Sequence, residues 1–216
     1  MVYSDLGNHD LAIQDFAEAI EIDPTCSEAM FHMASSKLKA SQVSSAIEDF
    51  RRSEVITESA AINDGLGCCY HSLKDYDQAI DAFDKAIKAE PRNIEFLKNR
   101  SQCYYDMKQY QQSIDDLSKA LEINAKDPQV QYKQGLAYFA FDKYNKCITT
   151  MKAALRNKPF LTYEAEIWYF LGLAYCRLEK FEKSIYPYTK CIALMPSDLK
   201  NIHERAKAYQ MIELHE

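Results

Sequence analysis

The residues of this sequence that are best suited to metal binding or catalysis are its five histidines and seven cysteines. His32 and His71 could approach each other across two neighbouring predicted helices, and Cys68 precedes His71 by less than one helical turn. Such a trio could bind a metal ion or supply a nucleophile, because imidazole and thiolate serve both purposes. The alternative is that these side chains only line a groove between helices. The second interpretation is favoured, because all five histidines are isolated in sequence.

The cysteines do not form a recognisable metal or disulfide pattern. None is part of a CxxC pair, and Cys68 and Cys69 are adjacent, which suits neither one zinc ion nor an unstrained disulfide. We predict reduced thiols that pack as small side chains, as in an intracellular protein.

Motifs of enzymes are also missing from the sequence. It contains no GxxxxGK[ST], GxGxxG, GxSxG or HExxH segment. The acidic pairs Glu48-Asp49 and Asp115-Asp116 could in principle act as acid and base, but we expect them on solvated outer helix faces. The sequence therefore predicts a protein without catalytic residues, metal or cofactor.

Composition narrows the fold and the partners. Hydrophobic residues make up 47% and charged residues 27%, as in a folded protein, and only five Gly and six Pro favour helices over many tight turns. The net charge of −6 argues against a nucleic-acid partner. No apolar stretch approaches the ~20 residues that cross a bilayer, and the first residues do not resemble a secretory signal. We expect a cytoplasmic or otherwise intracellular protein without membrane insertion.

An internal repeat predicts the elements that position these side chains. Residues 60–93 carry Leu66-Gly67, Tyr70, Ala79, Phe83, Ala86 and Pro91. Their spacing matches the pattern L-G-x2-Y, A-x3-F and P of a 34-residue helical repeat. The chain thus resembles the tetratricopeptide repeat (TPR) family over nearly its whole length.

The same frame predicts the organisation of the entire chain. Residues 1–26 form a partial repeat, and residues 199–214 form a C-terminal capping helix. Between them lie five full repeats: 27–59, 60–93, 94–127, 128–164 and 165–198. The fourth is longer than the others, with its surplus near residues 162–164. The resemblance implies an all-α fold, a right-handed α-α superhelix of antiparallel helix pairs, A and B.

Small residues recur where the two helices of a pair should cross closely. One such place in helix A is occupied by Ala34, Gly67, Ser101, Gly135, Gly172 and Ala206. Four residues depart from the pattern: Lys37, Asn63, Arg100 and Gln134. We expect their polar ends to reach water and to weaken the packing locally.

The resemblance also implies a concave groove lined by the A helices. In the C-terminal half, the predicted groove positions form an apolar and aromatic stretch: Tyr105, Tyr132, Leu136, Phe139, Tyr169 and Leu173. Aromatic anchors of this kind usually carry binding energy. The alternative is that several of them pack against the next A helix as core.

Some TPR proteins hold the C-termini of heat-shock chaperones in a carboxylate clamp. Lys98 and Asn99, which also belong to the candidate groove residues, resemble the middle of that clamp. The neighbouring repeats place Asp64 and Cys68, then Gln129 and Lys133, where the clamp needs further cations and an asparagine. We therefore do not expect this chain to bind chaperone tails by that route.

The resemblance implies a scaffold or adaptor that binds a protein or peptide in its groove. The alternative is a structural subunit of a larger assembly, such as a ciliary or intracellular transport complex, which binds through its ends or its convex face. A third class is a helical enzyme with an unrecognised site.

At the N-terminal end, Ile13 and Phe16 lack most of a preceding A helix. We expect self-association or further repeats there.

Overall fold

In the computed structural model, the structure describes residues 9–158 and 161–215. Tyr3, the remnant of the first A helix and Pro159 lie outside the described residues. The described part contains twelve helices and no strand, so the predicted all-α class is confirmed. None of these helices has the length and apolar composition needed to span a membrane.

The helices follow the predicted alternation of B and A elements. Their bounds are α1 His9–Ile22, α2 Ser27–Lys39, α3 Val43–Ile56, α4 Ala60–Ser72, α5 Tyr76–Ala89, α6 Ile94–Asp106, α7 Tyr110–Ile123, α8 Pro128–Ala140, α9 Tyr144–Arg156, α10 Leu161–Arg177, α11 Phe181–Leu194 and α12 Leu199–His215. Even-numbered helices correspond to A and odd-numbered helices to B. The surplus residues of the fourth repeat lie in the first turn of α10, which begins at Leu161.

The turns that join A to B helices share one backbone conformation. A non-glycine residue with φ between 57° and 62° occupies the same place in all five: Ser41, Lys74, Lys108, Asp142 and Glu179. This left-handed conformation ends each A helix and lets the chain reverse. In four of the turns the amide of the next residue donates to the carbonyl oxygen of a tyrosine in the A helix, as Asp75 N does to Tyr70 O at 2.9 Å.

The chain forms two compact units, residues 1–103 and 104–216. In the first unit, α1 to α4 each pack on the next helix in sequence, and the A helices α2 and α4 also touch each other. A core cluster of this unit is formed by side chains of α2, α3, α4 and α5 and includes Phe50, Leu66 and Cys69, all buried.

Two glycines in α4 show how closely these helices approach. A Cβ atom on Gly65 would lie 2.4 Å from the ring of Phe50 in α3, and one on Gly67 would lie 2.5 Å from the ring of Phe83 in α5. Both rings are almost fully buried. Helix α4 is thus held between two aromatic rings, at a separation that only glycine permits.

In the second unit, each helix from α7 to α12 packs on its neighbour in sequence, and the A helices α8 and α10 contact each other. Its core cluster comes from α8, α9 and α10 and includes Met151, Ile167 and Leu171. Gly135 and Gly172 meet Met151 and Tyr188 in the manner of the α4 glycines.

Candidate binding surfaces

On the A-helix face of the first unit, a side-chain hydrogen bond joins two successive repeats. Asn99 Nδ2 in α6 donates to both carboxylate oxygens of Asp64 in α4, at 2.9 Å and 3.1 Å. Burial raises the pKa of Asp64 from 3.8 to about 6, the Asn99 bond lowers it in part, and the charge of Glu95 raises it further. At neutral pH the Asp64 carboxyl is therefore mostly ionised.

Lys98 and Asn99 are already engaged within this chain. Lys98 is buried, and its Nζ lies 2.8 Å from Glu95 Oε1. Asn99 is occupied by Asp64, whose negative charge would also repel a carboxylate ligand. Neither side chain could hold a terminal carboxylate without breaking one of these internal contacts.

The histidines and Cys68 do not converge on a reactive site. The ring of His32 stacks on Phe16 at 5.6 Å, and the ring of His71 lies 5.9 Å from Tyr76. Burial, with the nearby charge of Asp64, raises the pKa of Cys68, so that its thiol stays protonated at neutral pH. In residues 9–158 and 161–215, no group of three His, Cys, Asp or Glu side chains could hold a metal ion.

In the second unit, Tyr132 joins two A helices. Its hydroxyl donates to Glu166 of α10, and its ring centroid lies 5.2 Å from that of Tyr163. Only 6% of its surface is exposed, so Tyr132 has almost no area left for a ligand. Tyr132 is therefore a core residue, as the alternative interpretation of the sequence held, and its side chain fixes the distance between α8 and α10.

Phe139 and Leu136 occupy the next turns of α8 and are partly exposed. The Phe139 ring meets Phe170 of α10 at 5.3 Å and Tyr144 of α9 at 5.5 Å. Leu136 packs against the same core cluster. One side of each residue is therefore anchored, and the other side is open.

Tyr169 and Leu173 of α10 are also partly exposed. The ring of Tyr169 lies 5.5 Å from that of Phe170, and Lys200 Nζ of α12 lies 4.4 Å from the Tyr169 centroid. A hydrogen bond with Tyr169 raises the pKa of Lys200, which is exposed. Sequence reasoning missed this cation, because its position next to Tyr169 depends on how α12 packs.

Tyr105, at the C-terminal end of α6, belongs to the same unit. Its ring meets Tyr110 of α7 edge-on at 5.5 Å, and its exposure is intermediate. Burial raises the pKa of Tyr105, so its hydroxyl remains a hydrogen-bond donor.

Two acidic residues were placed wrongly by sequence reasoning. Glu48 and Asp115 are exposed as expected, but Asp49 and Asp116 are buried, with 4% and 2% of their surface exposed. Asp49 Oδ2 lies 2.5 Å from Lys37 Nζ of the preceding A helix, and Asp116 has Lys119 Nζ at 3.8 Å. Both aspartates therefore lie on the packed side of their B helices, and each carboxylate has a lysine ammonium group nearby.

The departures from the repeat pattern also have partners inside the chain. Lys37 pairs with Asp49, Arg100 pairs with Asp84, and Gln134 donates to Ser118 Oγ at 3.0 Å. The polar ends of these three side chains were expected to reach water, and they contact other side chains of the protein instead. Asn63 is the exception, because its Oδ1 has no partner.

Two family models described as tetratricopeptide repeat match residues 70–137 and residues 1–26. The crystal structure of YrrB, described as a TPR protein with an unusual peptide-binding site, superposes with a TM-score of 0.72 and 20% identity, over 88% of this chain and 97% of YrrB. The chain therefore carries tetratricopeptide repeats.

Other solved structures share the fold over much of the chain. PilF of Pseudomonas aeruginosa has a TM-score of 0.78 at 18% identity, over 95% of this chain and 92% of its own. MamA has a TM-score of 0.67 at 27% identity, over 73% and 84% of the two chains. No curated protein sequence gives a significant match.

Proposed function

We propose that this TPR chain is a scaffold or adaptor, without enzymatic activity, that holds a peptide or helix of another protein on the A-helix face of its second unit. The observation that carries the proposal is the set of partly exposed apolar side chains on the adjacent helices α8 and α10. Its members are Leu136, Phe139, Tyr169 and Leu173, with Tyr105 in the same unit. TPR proteins generally act in protein interactions, and YrrB is described as binding a peptide.

The side chains on α8 and α10 form a binding platform, and contacts within the chain hold this platform in place before a ligand binds. Tyr132 and Glu166 link α8 to α10, and Phe170 supports both Phe139 and Tyr169 from beneath. Side chains that are already immobilised lose little entropy on binding, which favours affinity. Half-buried aromatic side chains with one open face are the usual anchors of such contacts.

Charge at the edge of the platform indicates the kind of ligand. Lys200 is exposed beside Tyr169, and Arg177 is exposed at the end of α10. A peptide with apolar anchors and a flanking carboxylate would match both features. The net charge of −6 makes nucleic acid a poor partner, and we place the protein in the cytoplasm.

The test is selection of a displayed peptide library against the full chain, followed by calorimetry with a selected peptide. Leu173→Ala and Tyr169→Ala should each weaken binding by about fivefold or more, the equivalent of ~1 kcal/mol. Tyr186→Ala is the matched control, because Tyr186 is an exposed aromatic residue on the B helix of the same unit. Selected peptides that bind both groove variants as well as wild type would show that the site lies elsewhere.

A second function, as a structural subunit of a larger assembly, is favoured by the exposed face of α12. Ile202 and Tyr209 are 39% and 49% exposed, and Ala206 between them is exposed as well. These residues carry the apolar and small side chains that another helix could cover. A subunit of this kind, in a cilium or a transport complex for example, would bind through such an end or through its B-helix face.

A further inference from the structure

One B helix of the second unit differs in charge from every other B helix. Residues 143–163 contain five lysine or arginine residues and no aspartate or glutamate, although the chain as a whole has a net charge of −6. Helix α9 lies within this segment, whereas α1, α3, α5, α7 and α11 each contain at least one acidic residue. The overall negative charge therefore conceals a local basic region.

The cations of this region are available to a partner. All five are exposed: Lys143, Lys146, Lys152, Arg156 and Lys158. None of them forms a salt bridge with another residue that the structure describes. By contrast, Arg52 of α3 and Lys119 of α7 have an aspartate carboxylate at 3.5 Å and 3.8 Å. The charge of α9 is thus not neutralised by ion pairs within the described residues.

Aromatic rings hold two of these lysines in place. Lys146 Nζ lies 5.5 Å from the ring centroid of Tyr138 in α8, and Lys152 Nζ lies 5.6 Å from that of Tyr175 in α10. Since α9 packs on both of these A helices, one ring supports it on each side. A ring attracts an ammonium group without neutralising it. Both lysines are therefore positioned in advance and still charged.

The neighbouring B helices set the limits of the basic region. Helix α7 carries more acidic than basic residues, and the charge of its Asp115 raises the pKa of Tyr138. Helix α11 carries Lys183 and Lys190 against one acidic residue, Glu182. All four of these charged side chains are exposed. The positive charge of α9 is thus bounded by α7 and continued by α11.

The dimensions of this surface favour a short acidic ligand. Lys146 and Arg156 are ten residues apart on α9, which corresponds to about 15 Å, and about five residues of extended peptide span the same length. A nucleic acid gains affinity from a longer row of phosphate contacts, and the net charge of the whole chain is negative. Helix α9 exposes no large apolar side chain of the kind that inserts into a membrane surface.

We propose that the outer face of α9 is a second protein-binding site, which takes an acidic segment of a partner polypeptide. About five residues rich in glutamate or aspartate lie along the helix, and their carboxylates contact Lys146, Lys152 and Arg156. Because α9 is a B helix, this site does not rest on the groove ligand proposed above. One chain can thereby hold two partners at once, as a scaffold does.

The test uses an acetylated and amidated peptide with five consecutive glutamates, and an analogue with five glutamines, as probes of the ¹⁵N-labelled full chain. The glutamate peptide should shift the amide signals of α9 in a saturable way, and added salt should weaken its binding. The glutamine peptide should produce no saturable shift. No saturable shift with glutamate, or equal affinity for the two peptides, would overturn the proposal.

Charge-reversed variants locate the site. Lys146→Glu combined with Lys152→Glu should weaken binding of the glutamate peptide about tenfold or more. The matched control is Lys85→Glu combined with Lys88→Glu, which makes the same change of net charge on exposed positions of α5 and should bind like wild type. Circular dichroism checks the fold of both. Equal losses in the two double variants would refute the site, because only net charge would then matter.

Two further measurements separate this site from the groove and from other polyanions. Lys200→Ala should bind the glutamate peptide like wild type, whereas shifts centred on Lys200 and Arg177 would place the ligand in the groove and refute the α9 site. A five-nucleotide single-stranded DNA and vesicles containing phosphatidylserine should each bind more weakly than the glutamate peptide at the same salt concentration. Tighter binding of either one to α9 would overturn the assignment of an acidic polypeptide.

Discussion

One amide nitrogen, Asn99 Nδ2, donates to both oxygens of the Asp64 carboxylate and thereby joins two successive A helices. The helix pattern in the sequence does not by itself predict that either side chain contacts another repeat. The bond satisfies a carboxyl group that burial would otherwise leave poorly solvated. It also gives the first unit a different chemistry from the aromatic face of the second.

Asp64→Asn should change the pH dependence of stability. The raised pKa of Asp64, about 6 against 3.8, means that the folded state binds the proton more tightly than the unfolded state. Ionisation of Asp64 therefore costs stability as the pH rises from about 4 to 6. We expect Asp64→Asn to gain up to about 2–3 kcal/mol relative to wild type over this window. The measurement is urea unfolding at pH 4, 5, 6 and 7.

The matched control for this experiment is Glu122→Gln, which removes an exposed carboxylate from α7. Its stability relative to wild type should stay nearly constant across the same window. A constant difference for Asp64→Asn as well would contradict the assigned cause.

A peptide that ends in acidic residues and a free carboxylate should bind no better than its C-terminally amidated form. The reason is that Lys98 is paired with Glu95, and Asn99 with Asp64, so neither can hold a terminal carboxylate without breaking an internal contact. Fluorescence anisotropy with the two labelled peptides measures the difference. A clear loss of affinity on amidation that persists in Lys200→Ala would show that Lys98 and Asn99 do act as a clamp, because Lys200 is the cation beside Tyr169 in the second unit.

The buried pair of Lys37 and Asp49 should show strong coupling. Lys37→Tyr or Asp49→Ala alone should destabilise the fold by about 3–5 kcal/mol, because each leaves one buried charge without its main partner. The double variant recreates Tyr70 and Ala82, which occupy the same places in the next repeat, and should recover most of this loss. A double-mutant cycle by denaturant unfolding tests this, and additive single effects would rule out the pairing.

Glycine should be favourable in the turns between A and B helices. Lys74 and Lys108 have φ of 60° and 61°, a region that costs energy for residues with a Cβ atom. Lys74→Gly and Lys108→Gly should each stabilise the protein by about 0.5 kcal/mol, after the entropy cost of glycine. Lys85→Gly, inside α5, should instead destabilise it by about 1 kcal/mol. Thermal unfolding of the three variants compares them directly.

Helix bounds were predictable because the pattern of small and large residues repeats along the chain. The last helix was expected at 199–214 and occurs at Leu199–His215. Each spacing reports a contact between helices that are adjacent in sequence. Such contacts are short-range, so the sequence contains nearly all the information that they require.

The candidate site was harder to predict, because its exposure depends on contacts between A helices of different repeats. The spacing that puts Tyr132 on the same face as Phe139 does not reveal that Glu166 and Tyr163 cover it. Similarly, Asp49 looks like a solvated residue of a B helix until Lys37 is brought beside it by the turn at Ser41. Long-range geometry decides both cases.

The two glycines of α4 have a consequence for how the first unit opens. Each glycine lowers the intrinsic stability of the helix by about 1 kcal/mol relative to alanine, so α4 depends on the rings of Phe50 and Phe83 to remain folded. Loss of either ring contact removes support from a segment that cannot persist alone. Amide hydrogens of α4 should therefore exchange with solvent together with those of α3 or α5, as one cooperative opening event rather than as independent fraying.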